Sequence, residues 1–163
     1  MLFENIIIAL IGAIILYTAL QGAPPLPSKP AVIETMRRFL EPKPGARIAD
    51  LGSGDGRIVM TLAEDGAMVD GYEFNPFLAF WSRRKVKKAG LQTHARIFRK
   101  NFWSVDLSAY DAVVVFGAPH IMERLAKKLR KELKPGAKIC SNAFMLPGWT
   151  PILKEHGVFL YQL

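Results

Sequence analysis

Residues 48–58 read Ile-Ala-Asp-Leu-Gly-Ser-Gly-Asp-Gly-Arg-Ile, and this stretch decides the predicted fold. An apolar strand ends near Asp50 and leads into three glycines that alternate with small polar residues. A second apolar segment, residues 67–72, ends on Glu73. A strand, a glycine-rich turn, a helix and a second strand that ends on a carboxylate are typical of a nucleoside-binding βαβ unit. The glycines let the backbone approach a ligand closely, and Glu73 is placed to bind two ribose hydroxyls.

The acidic residue before the turn distinguishes this unit from a dinucleotide-binding one. Dinucleotide folds carry Gly-x-Gly-x-x-Gly, whose third glycine allows close helix packing beneath a pyrophosphate. Here the pattern is Asp-x-Gly-x-Gly-x-Gly, and the Asp50 carboxylate disfavours phosphate but suits a cationic or amine-bearing ligand. S-adenosylmethionine carries an ammonium and a sulfonium, so Asp50 and Glu73 together predict this cofactor. The alternative is a βα turn whose glycines serve geometry alone.

Composition limits the remaining possibilities. A chain of 163 residues has room for one domain, and its net charge of +8 suggests an anionic neighbour, either nucleic acid or a phospholipid surface. The single cysteine, Cys140, excludes a disulfide framework and a cysteine-based metal site. His94, His120 and His156 lack the spacing of metal ligands, so no metal is predicted.

The first residues predict a membrane anchor. Residues 6–20 are uncharged, and the apolar segment over 1–23 is long enough for about 30 Å of helix. A cleaved signal peptide and a buried core helix are the alternatives, but no Lys or Arg precedes the segment. Basic residues follow it, so we expect a single-pass membrane protein whose catalytic domain faces the cytoplasm. Residues 24–30 form a Pro-rich spacer and residues 31–163 the predicted domain.

Beyond Glu73, helical and strand patterns alternate along the chain. We predict an α/β fold with a doubly wound, Rossmann-like, mostly parallel sheet of about six strands and a shortened C-terminal part. An antiparallel edge strand over 158–163 ends it. Helices are predicted over 31–40, 77–89 and 121–133, and further strands over 95–98, 110–117 and 137–144.

Several segments carry a family resemblance. They are residues 50–59, residues 71–76 (Gly-Tyr-Glu-Phe-Asn-Pro), residues 106–110, residues 116–119 (Phe-Gly-Ala-Pro) and residues 147–149. The chain resembles class I S-adenosylmethionine-dependent methyltransferases. More narrowly, it is similar to the membrane-anchored protein-lysine methyltransferases that modify the adenine nucleotide translocase and the c-ring protein of ATP synthase. The resemblance implies methylation of a lysine amine in a membrane or membrane-associated protein.

The resemblance also implies cofactor contacts at Asp50, Gly52, Gly54, Asp55 and Glu73. Asn101 follows the third strand, where related enzymes often place an acid near adenine; its amide can still bind the adenine edge, and Phe102 or Trp103 can cover a ring face. The full predicted cofactor-binding set is Asp50, Gly52, Ser53, Gly54, Asp55, Gly56, Glu73, Phe74, Asn75, Asn101 and Phe102.

The loop after the fourth strand is the predicted acceptor site, because ligands bind at the carboxyl ends of parallel strands. The carbonyl groups of Gly117 and Pro119 can position an amine, and His120 can accept its proton. A capping or first-turn role for His120 is equally open. Trp149 is a candidate wall of the acceptor pocket, with packing beneath a C-terminal loop as the plainer role.

The helix over 77–89 carries Arg83, Arg84, Lys87 and Lys88. These residues form a solvated surface, contact anionic lipid headgroups or bind RNA, and the sequence gives least support to RNA. From the family resemblance we predict methyl transfer to a protein lysine. The alternatives are methylation of a lipid or quinone, methylation of RNA, and a non-catalytic cofactor-binding protein.

Overall fold

The computed structural model of the chain describes residues 4–6, 12 and 28–163. Within them, seven strands form one sheet in the order β3-β2-β1-β4-β5-β7-β6. The strands are β1 Arg47–Leu51, β2 Met68–Glu73, β3 Ala95–Arg99, β4 Ala112–Phe116, β5 Lys138–Asn142, β6 Leu153–Glu155 and β7 Val158–Gln162. The helices are α1 Pro30–Leu40, α2 Arg57–Ala63, α3 Pro76–Lys88 and α4 Pro119–Glu132, and a 3-10 turn spans Phe102–Ser104.

The sheet confirms the predicted architecture and corrects its C-terminal part. β1 to β5 pair in parallel, whereas β7 is antiparallel to both β5 and β6. The expected count of about six strands is wrong, since the described residues form seven. The final strand is antiparallel as predicted but is not the edge, because β6 lies outside it. β6 has only three residues, too few to show the alternation by which a strand is recognised in a sequence.

Two layers of helix cover the sheet. Apolar residues of α1, α2 and α3 pack with Ile48, Val69 and Val114 on one face. Residues of α4 pack with Leu51 and Val115 on the other face. Each fully buried aliphatic side chain contributes about 1.5–3 kcal/mol, so these two layers supply most of the stability that holds the strand ends in place.

Three of the four helices within residues 28–163 begin at a proline, at Pro30, Pro76 and Pro119. Proline suits a first helical position because its fixed φ is helical and its missing N–H would have no partner there. The helices therefore start one or two residues earlier than the apolar periodicity predicted. For α3 and α4, this places the first turn directly beside the carboxyl ends of β2 and β4.

The predicted localisation is wrong. No helix within residues 4–6, 12 and 28–163 is both long and apolar enough to cross a membrane. The longest helix of this part, α4, has 14 residues, whereas a span needs about 20. Most of the segment over 1–23 and residues 24–27 of the spacer lie outside the described residues. The division of the chain at residues 23 and 30 stays a prediction.

Candidate active site

The predicted site residues converge at the carboxyl edge of the sheet. β1 is the central element of this edge, because its Asp50 pairs with Gly71 of β2 on one side and with Val114 of β4 on the other. The glycine-rich loop 52–56 follows β1, Glu73 ends β2, and residues 117–119 follow β4. Parallel strands therefore bring together three segments that are far apart in the sequence.

The turn after β1 depends on its glycines. Gly52, Gly54 and Gly56 all have positive φ, at 87°, 54° and 79°. At Gly56, a Cβ atom would also lie 2.9 Å from the Cβ of Ser82 on α3. A side chain at this position would therefore strain the backbone and collide with α3, so Gly56 allows the glycine-rich loop to approach α3.

Gly71 is a site-forming residue that the sequence analysis did not identify. A Cβ on Gly71 would lie 2.8 Å from both the Cβ and the Oγ of Ser53. Because Gly71 has no side chain, the loop after β1 can fold back against β2. There the amides of Gly52 and Ser53 donate to the Tyr72 carbonyl at 2.9 and 3.1 Å. The signal in the sequence was a glycine within an otherwise apolar strand.

Asp50 is buried and incompletely paired. It is 2% exposed, and its Oδ2 atom has no hydrogen-bond partner in the described structure. The Oγ of Ser53, also buried, is the other such atom. Burial raises the pKa of Asp50 to about 8, and the charges of Glu73 and Asp55 contribute to this rise. Unpartnered buried polar atoms are costly, so a ligand that supplies a donor here gains affinity.

Glu73 is held in place by backbone amides. Its Oε2 accepts from the Gly54 amide at 2.9 Å, and its Oε1 accepts from the Asn75 amide at 2.6 Å. Burial raises the pKa of this carboxyl, while the amides of Asn75, Gly54 and Phe74 oppose the rise. A carboxylate has about four lone-pair positions, so these amides leave room for a hydroxyl donor. The predicted contact of Glu73 with two ribose hydroxyls stays a prediction.

Asp55 is engaged in ion pairs rather than directed at a ligand. It forms a bidentate contact with Arg57 at 2.9 and 2.8 Å and accepts from Lys85 of α3 at 2.7 Å. The Arg57 hydrogen bond is the main cause that holds the pKa of Asp55 well below its usual range, helped by Lys85. Arg57 also donates to the Ser28 carbonyl at 3.1 Å, so this cluster ties the loop to α3 and to the segment before α1.

The other predicted cofactor residues divide between exposed and structural positions. Phe74 is 37% exposed beside Glu73. Asn75 caps α3, since its Oδ1 accepts from the amides of Phe77 and Leu78 at 2.9 and 3.3 Å. Asn101 caps the 3-10 turn through the Trp103 amide at 3.0 Å, which leaves its side-chain NH₂ group for other acceptors. Phe102 is buried in the core, where its ring centroid lies 4.8 Å from that of Trp103.

The predicted acceptor residues lie in the loop between β4 and α4. Gly117 is required by packing, because a Cβ there would overlap the sulfur of Met122 in the first turn of α4. His120 is exposed at the start of that helix, directly after Pro119. The structure therefore places His120 in a first turn, at the carboxyl edge of the sheet. Trp149 is partly buried and packs at its ring edge on Tyr161, with centroids 6.0 Å apart.

The outer face of α3 exposes aromatic side chains as well as basic ones. Phe77, Phe80 and Trp81 are 63%, 51% and 59% exposed. They lie at helical spacing on one side, and the Arg84 guanidinium stacks 5.3 Å from the centre of the Phe80 ring. RNA had the least support from the sequence, whereas the structure places exposed aromatic residues beside the basic ones.

The four basic residues of α3 that were predicted to form one surface do not have equivalent surroundings. Arg83 donates from its Nε to the Ile97 carbonyl at 2.8 Å, and Arg84 stacks on Phe80. Lys87 and Lys88 are exposed near the end of the helix. The helix has no acidic residue, so its surface favours an anionic partner. The lipid contact predicted for this surface stays a prediction.

Comparison with known proteins identifies relatives of this chain. The pattern of the ANTKMT methyltransferase domain matches residues 50–153. A lysine N-methyltransferase of Mus musculus, named for its action on the c-type subunit of ATP synthase, is 39% identical over 128 residues, which cover 78% of this chain and 51% of that protein. The chain thus spans between about half and three fifths of the length of this relative and of its counterparts in other vertebrates.

Two relatives match over nearly their whole length. The protein-lysine N-methyltransferase of Saccharolobus islandicus is 34% identical over 153 residues, which cover 86% of this chain and 95% of that protein. Among solved structures, the RNA methyltransferase of Salinibacter ruber in complex with S-adenosyl-L-homocysteine superposes with a TM-score of 0.78 and 27% identity. The match covers 83% of this chain and 91% of the other.

Proposed function

The chain belongs to the ANTKMT methyltransferase domain family, and from that membership we propose that it transfers a methyl group to the side-chain amine of lysine in a protein. The predicted class I methyltransferase family and S-adenosylmethionine as cofactor are confirmed. A narrower assignment of the acceptor is our proposal. It is supported by relatives that are named lysine N-methyltransferases, among them one that this chain spans almost completely.

The residues at the ends of β1 and β2 fit the cofactor. We propose that the Glu73 carboxylate also accepts from the ribose hydroxyls and that Asp50 Oδ2 accepts from the ammonium group. Ser53 Oγ, also buried and without a partner, adds a second polar contact. Gly52, Gly54 and Gly56 keep the loop backbone free of side chains, and Asp55 fixes the loop through its ion pairs.

Four further residues complete the proposed cofactor site. Phe74 is exposed next to Glu73 and can cover an adenine face, while the side-chain NH₂ groups of Asn75 and Asn101 can donate to the adenine edge. Phe102, which is buried, supports this wall from the core side. These residues follow β2 and β3, next to the ribose position that Glu73 defines.

The acceptor residues have a simple chemical task. Bound S-adenosylmethionine supplies an electrophilic methyl group on a sulfonium, so that transfer replaces a carbon–sulfur bond by a carbon–nitrogen bond. The protein must align a neutral amine, and alignment supplies much of the rate enhancement. We propose that the Gly117 and Pro119 carbonyls orient the lysine amine. His120, exposed at the start of α4, accepts the proton that the lysine loses and passes it to water.

The observation that carries the proposal is the pair of buried acids, one unpartnered at Oδ2 and one held by two amides, beside a glycine-rich loop. Its test is methyl transfer from radiolabelled S-adenosylmethionine to an extract separated into protein, RNA and lipid fractions, with Glu73→Ala as control. We expect label in protein that disappears with the variant. Label in another fraction would overturn the proposed substrate, and no label despite cofactor binding would favour a non-catalytic role.

RNA is a second candidate acceptor because the outer face of α3 combines exposed aromatic rings with basic groups. Phe77, Phe80 and Trp81 offer stacking surfaces, and Arg84 lies among them. Single-stranded RNA of mixed sequence should then bind with an affinity that falls steeply with salt and falls further in the double variant Phe77→Ala, Trp81→Ala. Equal RNA affinity of the unaltered protein and the double variant would exclude RNA as the second candidate acceptor.

A further inference from the structure

Asn142, the last residue of β5, is a buried polar residue that neither the sequence analysis nor the proposed cofactor site accounts for. It is 7% exposed. Its backbone belongs to the sheet, where it pairs with Phe116 of β4 and Val158 of β7. Its carboxamide atoms are not among the fully buried polar atoms that lack a partner, so the carboxamide keeps contact with solvent at the edge of the sheet. A polar group on a largely buried residue can there exchange water for a hydrogen-bonding group of a ligand.

The carboxamide lies on the same face of the sheet as Asp50. Side chains alternate along a strand, and Cys140, two residues before Asn142, packs with Ile48, two residues before Asp50. Val114 of β4, which pairs with both Asp50 and Cys140, belongs to the same cluster. Asn142 therefore lies two strands from Asp50 and two residues nearer to the carboxyl edge. This places it about 10 Å across the sheet and about 7 Å along it.

This position is on the acceptor side of the edge. The cofactor residues occupy the ends of β1 and β2, and β4 and its following loop lie between Asp50 and Asn142. Phe116, the register partner of Asn142, immediately precedes Gly117. Of the buried polar side chains on this face, Asn142 is the one that stands beside the loop proposed to receive the lysine amine.

We propose that the Asn142 carboxamide oxygen accepts a hydrogen bond from the amine that receives the methyl group. This inference rests on the proposed function and adds a specific acceptor-side contact. A neutral lysine amine has two N–H groups, so it can donate one to Asn142 while its lone pair faces the methyl carbon. A carboxamide is uncharged, and so it positions the amine without holding it in the unreactive ammonium form, as a carboxylate would.

The experiment compares two cofactor analogues by isothermal titration calorimetry on the full chain. S-adenosyl-L-homocysteine lacks the methyl group, whereas sinefungin carries an amine in its place. The affinity ratio of sinefungin to S-adenosyl-L-homocysteine therefore reports a hydrogen-bond acceptor beside the transferred group, and it requires no knowledge of the protein substrate. We expect Asn142→Ala to lower this ratio about tenfold, because a hydrogen bond to a charged donor is lost.

Two further variants make the result specific. Asn142→Asp should raise the ratio, because a carboxylate attracts the sinefungin ammonium more strongly. Asn101→Ala, the matched asparagine on the adenine side, should weaken both analogues equally and leave the ratio unchanged. A ratio that stays constant in both Asn142 variants would overturn the inference and leave the proposed cofactor site intact. Failure of the unaltered protein to bind either analogue would instead refute the cofactor site, and this inference with it.

Discussion

The cofactor half and the acceptor half of the carboxyl edge are built differently. In the cofactor half, Glu73 is held by two backbone amides at 2.9 and 2.6 Å, and Asp50 is almost fully buried. In the acceptor half, His120 is exposed at the start of α4, and Asn142 is largely buried at the end of β5. The cofactor half is held by hydrogen bonds within the protein, whereas we propose that a substrate completes the acceptor half.

This difference indicates how the work of recognition is divided. A small cofactor offers few contacts, so its site gains from rigid groups that need no ordering when it binds. A protein substrate brings its own backbone and neighbouring side chains, so its site needs a few positioned polar groups around a reactive point. The predictions below test this division, beginning with the largest expected effect.

Removal of the Glu73 carboxylate should have the largest effect. Glu73→Ala leaves the Gly54 and Asn75 amides without their acceptor and removes the proposed ribose contacts. We expect S-adenosyl-L-homocysteine to bind about 100-fold more weakly, as measured by calorimetry. Glu73→Gln keeps one oxygen and should lose only about tenfold. Equal binding by all three proteins would show that the ligand does not reach β2.

A methyl group at Gly56 should destabilise the cofactor half without touching a ligand directly. Gly56→Ala combines a φ of 79° with a Cβ contact of 2.9 Å to Ser82, so we expect a loss of about 2–3 kcal/mol in the free energy of unfolding. Gly90→Ala is the matched control, since its φ is 71° and its Cβ would meet nothing within 4 Å. Gly90→Ala should lower the free energy of unfolding by about 1 kcal/mol. Chemical denaturation measures both, and equal losses would contradict the close approach of the glycine-rich loop to α3.

Asp50 should make cofactor affinity depend on pH. Its pKa of about 8 means that the free protein holds it protonated at neutral pH, mainly because it is buried. An ammonium ligand favours the ionised form, so affinity for S-adenosyl-L-homocysteine should rise as pH increases from 6 towards 8, by up to about tenfold per unit. Asp50→Asn should bind more weakly at pH 8 and show a flat profile.

The raised pKa of Asp50 should make the ligand-free protein less stable as pH rises. Because the folded pKa of Asp50 lies above its unfolded value of 3.8, the contribution of this group is full at low pH and is lost as pH rises through about 8. The ligand-free protein should therefore gain stability from Asp50→Asn at pH 8.5 but little at pH 5. A gain of equal size at both values would show that Asp50 is ionised throughout.

The acceptor half should show the smallest single effect, at His120. Its position in an exposed first turn lets solvent share the removal of the lysine proton. We expect His120→Ala to lower the methyl-transfer rate about fivefold at pH 7 and less at pH 9, at unchanged cofactor affinity. A loss of about a thousandfold at pH 7 would instead identify a general base that solvent cannot replace.

The position of the cofactor half could be predicted because its residues lie close together in the sequence. Asp50, the three glycines and Glu73 lie in two segments joined by a short helix, so their chemistry and spacing can be read together. The structure adds what spacing cannot show, namely that Asp55 is occupied by Arg57 and Lys85 and that Gly71 makes room for the loop.

The acceptor half and the sheet edge were less predictable because they depend on strand register. Asn142 becomes a candidate only when β5 is placed beside β4 and its side chain is assigned to the Asp50 face. β6 is too short to produce a pattern, and β7 was therefore assigned to the edge. The exposed aromatic residues of α3 were hidden because apolar residues at helical spacing ordinarily face a core.

The most direct test of the central claim is amino-acid analysis of the protein labelled by this enzyme and radioactive S-adenosylmethionine. The account predicts that the label survives acid hydrolysis and co-migrates with methylated lysine, and that it is absent with Glu73→Ala. Label that is released by mild base would identify a carboxylate ester, and label confined to RNA would identify a different acceptor. Either result would contradict lysine methylation while leaving the fold and the cofactor unchanged.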